Sequence, residues 1–488
     1  MPFDLTRRRA LLTAAGATAL AATAAGSAHT APRSSPGTRR PAAAFPEGFR
    51  WGTATSSYQV EGATHEAGRG PSIWDTFTQQ PGRIRDGSTG QVSVDHFNRY
   101  KEDVALMKSM GTHTYRFSIA WPRVFPEGSG PANPKGFDFY DRLVDALLAA
   151  GIEPYATLYH WDLPQALQDR GGWESRDTAE AFGEYAALVA GKLTDRVRQI
   201  FTLNEMQTFV EQGHETGNFA PGLKLPPGRL NQVRHHAALA HGLAVQAVRA
   251  NGRRGTRVGP AENIATAIPA VETMENIRAA ELATRELNAP YLTVMMEGRY
   301  TDAYLARAGR DAPRFTEQDL RTISSKVDFV GLNVYAPTQY VLASEAAPGY
   351  AALPFPSSHP HMASSWLTLG PEALYWAPRH AARLWQVKNI FITENGASAA
   401  DQPAPDGAVY DVDRVMYLRN CLMHLQRATA EGVPVRGYFL WSLLDNFEWA
   451  DGYATRFGLV HVDYATQKRT PKLSAAFFRE VIARNAPA

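Results

Sequence analysis

The sequence predicts an α/β chain, a single (β/α)8 TIM barrel with extended βα loops, on three observations. Short β-rich runs recur from Phe49 onward, each is followed by a turn and a helix-patterned stretch, and the residues able to do chemistry stand at the ends of the runs. At 488 residues length alone suggests several domains. Barrels with inserted loops commonly run past about 400 residues as one unit, so the strand pattern decides the count.

Eight runs carry the pattern: Phe49–Ser56, Thr114–Trp121, Glu153–His160, Val197–Glu205, Arg257–Asn263, Asp328–Tyr335, Ile390–Asn395 and Gly437–Leu443. Between them lie amphipathic segments such as Phe137–Ala150, Thr178–Leu193 and Val412–Ala430, with apolar residues three and four apart. Strands that alternate with helices pair in parallel, and eight such units can close on themselves. A doubly wound open sheet is the alternative. It would want a glycine-rich phosphate turn after the first strand, whereas Gly68, Gly70 and Gly82 are too scattered for one.

Barrel strands point their carboxyl ends at one rim. The run ends read His160, Asn204 with Glu205, Asn333 with Tyr335, Glu394 with Asn395, and Trp441, so these distant residues should converge on one pocket.

Composition narrows the partner. The chain is 44% hydrophobic and 20% charged with a net charge of +2, and its Lys and Arg residues are spread evenly, so no basic face or tail asks for nucleic acid or an acidic membrane. A small, uncharged molecule is the expected partner. The single cysteine, Cys421, rules out an intrachain disulfide framework and a Cys-based zinc cluster; no cofactor or metal is expected. His235 and His236, the one adjacent pair among 14 histidines, lack an i, i+4 partner with a nearby carboxylate and read as a solvated helix patch.

Residues 1–30 read as a twin-arginine-type signal peptide: Arg7-Arg8-Arg9 precedes a weakly apolar run of Ala, Leu, Thr and Gly. Ala10 replaces the aromatic often found there, and cleavage after Ala28 or Thr30 is compatible with the sequence. Residues 31–44, rich in Pro, Ser and Arg, read as a linker, and 45–485 as the barrel domain. Export by the twin-arginine route to an extracellular or periplasmic site, with no membrane attachment after signal removal, is the expectation.

Two glutamates sit at strand ends in similar settings, Thr202-Leu203-Asn204-Glu205 and Ile392-Thr393-Glu394-Asn395-Gly396. A carboxyl among apolar β residues is costly to bury without a partner or a task. Each alone is compatible with a rim salt bridge; together, at the ends of the fourth and seventh runs, they suggest paired carboxylates around a scissile bond.

The chain resembles glycoside hydrolase family 1 from Phe45 to about Ile482. Seven ordered motifs carry the resemblance: Phe49 to Gly62, Tyr115-Arg116-Phe117-Ser118-Ile119-Ala120-Trp121, Leu158-Tyr159-His160-Trp161-Asp162-Leu163-Pro164, Thr202 to Glu205, Asn333-Val334-Tyr335, Thr393 to Gly396, and Leu440 to Trp449. The resemblance implies a retaining β-glycosidase of the β-glucosidase type, with Glu394 as nucleophile and Glu205 as general acid/base, their carboxyls about 5 to 5.5 Å apart. At that separation and an effective dielectric near 20, two carboxylates repel by about 3 kcal/mol, so one proton should stay, on Glu205. By the same resemblance Arg116 leans on the nucleophile and favours its ionised form, although a purely structural ion pair would make the same contact. Tyr335 resembles the residue whose hydroxyl hydrogen-bonds the nucleophile, the alternative being a core tyrosine at a strand end. Gln59, His160, Asn204, Asn333 and Glu448 would bind sugar hydroxyls, Trp441 and Trp449 would face the C–H surface, and Trp366 would floor the leaving-group site.

A carboxylate at Glu448 disfavours 6-phosphate substrates, which leaves a neutral glucoside, galactoside or fucoside, or an oligosaccharide, as the expected partner. The family usually has Pro after the acid/base glutamate, and here that residue is Met206. The segment from Pro337 to Pro378 matches only loosely, so leaving-group preference is unreadable. A transglycosylase using the same two glutamates, or a secreted sugar-binding protein without turnover, would carry the same motifs. Oligomeric state leaves no mark.

Overall fold

A computed structural model describes residues 44–487 of the chain. The expected signal peptide, and the linker apart from Ala44, lie outside the described residues. Eight strands close into a parallel barrel in sequence order: β1 (Arg50–Ala54), β2 (Thr114–Ser118), β3 (Glu153–Tyr159), β4 (Gln199–Asn204), β5 (Arg257–Asn263), β6 (Val330–Asn333), β7 (Ile390–Asn395) and β8 (Val435–Trp441). β8 returns to β1 along a register running from Arg50↔Gly437 to Ala54↔Trp441. Seven of the strands lie within the runs read from sequence, and β8 begins two residues before its run. Several runs overshoot at the carboxyl end, because residues such as Ser56, His160, Glu205 and Tyr335 leave the ladder to enter the rim.

The barrel is packed solid below that rim. Tyr155, Phe201, Phe391 and Phe439 are buried within it, with the Tyr155 and Phe439 rings 5.0 Å apart and edge to face. Arg116 lays its guanidinium 5.2 Å from the centre of the Phe201 ring, so the cation rests on an apolar floor and can direct its N–H groups only upward and sideways.

Strict alternation along the strands does not set which side chains enter the rim. The β6–β7 register slips between Ile392 and Glu394, and the β4–β5 register slips between Phe201 and Asn204. A bulge inserts one residue and re-aims those that follow. Glu394, two residues beyond outward-facing Ile392, is thereby turned into the mouth, where alternation alone would bury it against the helices.

Outside the barrel, the loosely patterned stretch after β6 has structure of its own. Gln339–Ala343 and Tyr350–Leu353 join Ala267–Pro269 in a small three-stranded sheet, which buries Val341 against Ala280 and Ala283. The helix Pro227–Asn251 packs along Arg176–Leu193.

That helix corrects the reading of the histidine pair. His235 and His236 are buried, not solvated: His235 Nδ1 meets the Tyr300 hydroxyl at 2.9 Å and His236 Nδ1 meets the Trp173 carbonyl at 3.0 Å. Tyr300 and Trp173 lie far away in sequence, and the neighbour one turn back, Gln232, whose Nε2 meets His236 Nε2 at 3.0 Å, is an amide and not a carboxylate. Burial lowers both imidazole pKa values, so the pair is neutral at ordinary pH.

Candidate active site

A cavity of about 630 Å³ opens at the carboxyl ends of the strands. His160, Glu205, Tyr335, Trp366, Glu394, Trp441, Glu448 and Trp449, all singled out in the sequence, line it. Arg116, Asn204, Asn333 and Gln59 stand behind that lining and fix it.

Arg116 is 1% exposed, and every bond it makes is aimed. Its Nη1 donates to Glu394 Oε1 at 2.7 Å and to the Thr393 carbonyl at 3.2 Å, Nη2 donates to Asn204 Oδ1 at 2.5 Å, and Nε donates to Thr157 Oγ1 at 3.0 Å. Asn204 in turn donates from Nδ2 to His160 Nε2 at 3.2 Å. Burial and the Arg116 charge hold the His160 pKa well below its usual value, so its ring is neutral. With Nε2 accepting, the proton sits on Nδ1, a buried atom without a hydrogen-bond partner among the described residues.

Asn333 ties Glu205 to the strand that carries Glu394. Its Nδ2 donates to Glu205 Oε1 at 2.7 Å and to Asn204 Oδ1 at 3.1 Å, and its Oδ1 accepts from Thr393 Oγ1 at 2.7 Å. Asn333 also helps to lower the pKa of Glu394, as the weakest of the influences acting on it.

Burial raises both carboxyl pKa values, but their surroundings differ. Glu205 is pushed up to about 7, first by burial and then by the charge of Glu394, against weaker help from Asn333 and Thr208. Glu394 is also raised by burial, and there the Arg116 charge, its hydrogen bond and the Tyr335 hydroxyl at 3.0 Å pull it back. A full cation and two donors favour the charged form at Glu394, so a proton shared between the pair belongs on Glu205.

At the far wall, burial lifts Glu448 well above the usual carboxylate range, helped by Asp451 and the two glutamates. Gln59 Nε2 reaches Glu448 Oε2 at 3.2 Å and also donates to the Phe447 carbonyl at 3.0 Å, so Gln59 steadies Glu448 from behind. His160 stacks with Trp441, 5.6 Å away, and with Trp449, 6.0 Å away, each at 19°. Trp366 stands at the opening, 58% exposed, its Nε1 donating to Asp451 Oδ2 at 3.2 Å.

The segment bearing Trp441 and Glu448 is anchored by buried charges. Asp445 accepts from Lys472 Nζ and Arg456 Nη1, each at 2.6 Å. Gly396, just past Glu394, is required by contact: a Cβ there would stand 1.8 Å from the Trp441 carbonyl oxygen.

Three residues that the sequence pattern does not single out also shape the site. Trp161 lines the cavity and donates from Nε1 to the Asn204 carbonyl at 2.9 Å, while Phe219 and Asp451 face the opening. Trp161 lies within a recognised motif, but nothing in the pattern separates a cavity-lining tryptophan from a core one.

A closed parallel barrel with two buried carboxyls at its mouth, one paired to arginine, defines a carbohydrate-active enzyme architecture. The profile of glycosyl hydrolase family 1 matches residues 42–487. The chain is 42% identical to the 1,4-beta-D-glucan glucohydrolase of Thermotoga neapolitana over 90% of its own length and 98% of that protein. It is 42% identical to beta-glucosidase A of Thermotoga maritima with the same coverage. Among solved structures, the family 1 b-glucosidase from Thermotoga maritima superposes with a TM-score of 0.82 at 40% identity, covering 91% of this chain and 98% of that one. Its complex with deoxynojirimycin gives the same score. The chain belongs to glycosyl hydrolase family 1.

Proposed function

We propose that the protein is a retaining β-glucosidase that hydrolyses terminal non-reducing β-D-glucosides or related β-D-hexosides by double displacement. The observation that carries this reading is the pair of buried carboxyls lining one cavity, Glu394 on Arg116 and Glu205 on Asn333, each at 2.7 Å, and near enough for the charge of Glu394 to raise the pKa of Glu205. Double displacement asks for carboxyls about 5–5.5 Å apart, whereas inverting glycosidases need roughly 6.5–9.5 Å to fit a water between them.

In the first step a Glu394 carboxylate oxygen bonds to the anomeric carbon as the C–O bond to the leaving group breaks, and Glu205 gives its proton to the departing oxygen. Once Glu394 is an ester its charge is gone, so the pKa of Glu205 falls and its carboxylate can take a proton from water. That water attacks the anomeric carbon from the leaving-group side, frees Glu394 and returns the proton to Glu205. The neutral His160 offers Nδ1–H to a hydroxyl, Glu448 hydrogen-bonds two neighbouring hydroxyls, and Trp441 and Trp449 cover the C–H face. Asp451 and Trp366 at the opening face the leaving group. Export through the residue 1–30 signal, to an extracellular or periplasmic site, is part of the same reading and rests on the Arg7-Arg8-Arg9 pattern.

The test is an NMR time course on a panel of aryl β-glycosides and disaccharides. The first sugar released should be the β-anomer, with glucosides ahead of hexosides that carry a 6-phosphate. An α-anomer as first product excludes the double displacement, and transfer to an added alcohol in preference to water would favour the transglycosylase.

The two glutamates also fix a pH profile. In free enzyme the acid must be protonated and the nucleophile ionised. kcat/KM should therefore fall as pH rises through about 7, where Glu205 loses its proton, and fall again on the acid side at a pH above the ordinary glutamate value, since burial raises Glu394. Glu205→Gln should erase the alkaline limb alone; a limb that persists assigns it to another group.

A further inference from the structure

Glu262, near the end of β5, does not line the cavity, yet it is fully buried directly behind Glu205. Its Oε2 accepts the backbone N–H of Met206 at 3.0 Å and its Oε1 that of Gln207 at 3.2 Å. Those residues open the short helix Met206–Val210, and N–H groups in a first helical turn have no partner within the helix. Buried without an acceptor, they would destabilise the turn that Glu205 occupies.

That turn is a strained one. Glu205 has φ 49° and ψ 65°, the left-handed region that a non-glycine residue holds only where its surroundings impose it. β5 imposes it from two sides: the Ala261 carbonyl accepts the Glu205 N–H at 2.8 Å, and the neighbouring Glu262 carboxyl takes the next two amides along. The titratable groups facing Glu262 are Glu205 and Tyr291. Burial, with Glu205 adding to it, pushes Glu262 up to about 8, so near neutral pH it is largely protonated and sets little second charge beside the acid.

Met206 bears on the same turn. Proline is the usual residue after the acid/base glutamate in the family this chain resembles, and a proline is compatible with the first helical position because it has no N–H to satisfy there. Met206 restores that N–H, and Glu262 is where it goes.

We infer that Glu262 is a positioning residue for Glu205, holding the left-handed turn that aims the acid/base carboxyl and taking over the stiffening that a proline at position 206 would provide. The inference rests on the reading of Glu205 as acid/base.

The experiment compares kcat/KM, which reports the first displacement, on two substrates. Departure of 2,4-dinitrophenolate needs no proton, whereas cellobiose needs one from Glu205. Glu262→Leu should lower kcat/KM on cellobiose by about 100-fold and on the dinitrophenyl glucoside by less than about 5-fold, because a misaimed acid matters only where protonation is required. Adding Met206→Pro to Glu262→Leu removes one orphaned N–H and should recover at least about 10-fold of the cellobiose loss. In the native background Met206→Pro should give no gain. Glu262→Gln, which keeps the shape and one good acceptor, should show the same substrate dependence on a smaller scale, and it carries the test if the Leu variant does not fold. Equal losses on both substrates in whichever variant folds, or no recovery with proline, would overturn the positioning role. An unsubstituted enzyme inactive on both substrates would instead sink the reading of Glu205 itself.

Discussion

Replacing Glu394 with Ala should lower kcat on aryl β-glucosides by about 10⁵-fold or more, the largest effect any single substitution in this chain is expected to have. Without the carboxylate no covalent intermediate forms, and the remaining groups offer only binding and a proton. The protein should still fold. Removing one partner of a buried ion pair commonly costs about 3–5 kcal/mol, but Arg116 keeps Asn204 Oδ1, Thr157 Oγ1 and the Thr393 carbonyl as acceptors, so its charge stays hydrogen-bonded. Azide gives a direct check. Seated in the space left by the carboxylate, it attacks the anomeric carbon once while Glu205 protonates the leaving group, and the product should be the α-glucosyl azide. Undiminished release of aryl alcohol would remove Glu394 from the mechanism.

Glu205→Ala should behave differently, and the difference is diagnostic. For cellobiose, kcat/KM should drop by about 10²- to 10⁴-fold, the usual worth of a positioned general acid. With a dinitrophenyl leaving group the first step should be nearly spared. The second step then lacks its base, so a burst of one equivalent of dinitrophenolate should precede a slow steady state. Azide needs no deprotonation, so it should speed that steady state and yield the β-glucosyl azide. A variant equally crippled on both substrates, with no burst, would show that residue 205 serves some other purpose.

Much of the architecture is legible in the sequence because a closed parallel barrel repeats one local signal: a β-rich run, a turn, an amphipathic helix. The catalytic rim is legible for a related reason, since polar residues such as His160 and Asn204 at the end of an apolar run have little structural work to do there. Facing is not legible. Alternation along β7 would send Glu394 outward, and only the register slip beside it turns the carboxyl into the cavity. The burial of the histidines at 235 and 236 is hidden because their partners, Tyr300 and Trp173, lie far away in sequence. Glu262 passes as one more polar residue in the Ala261-Glu262-Asn263 run. The signal that points to it is Met206: an amide hydrogen where the related family usually has none needs a buried acceptor nearby.

The contact between Gly396 and the Trp441 carbonyl sets how this catalyst can change over time. The strand that delivers the attacking group and the strand that presents the indole touch main chain to main chain, with no room for even a methyl group between them. A mutation that reshapes the pocket for a different terminal sugar will tend to shift the attacking group as well, and so risks its own benefit. Trp366, Phe219 and Asp451, out at the opening and free of that contact, can be exchanged at little risk to the machinery. Diversification should therefore run mainly through what is attached to the sugar, with the sugar itself changing slowly.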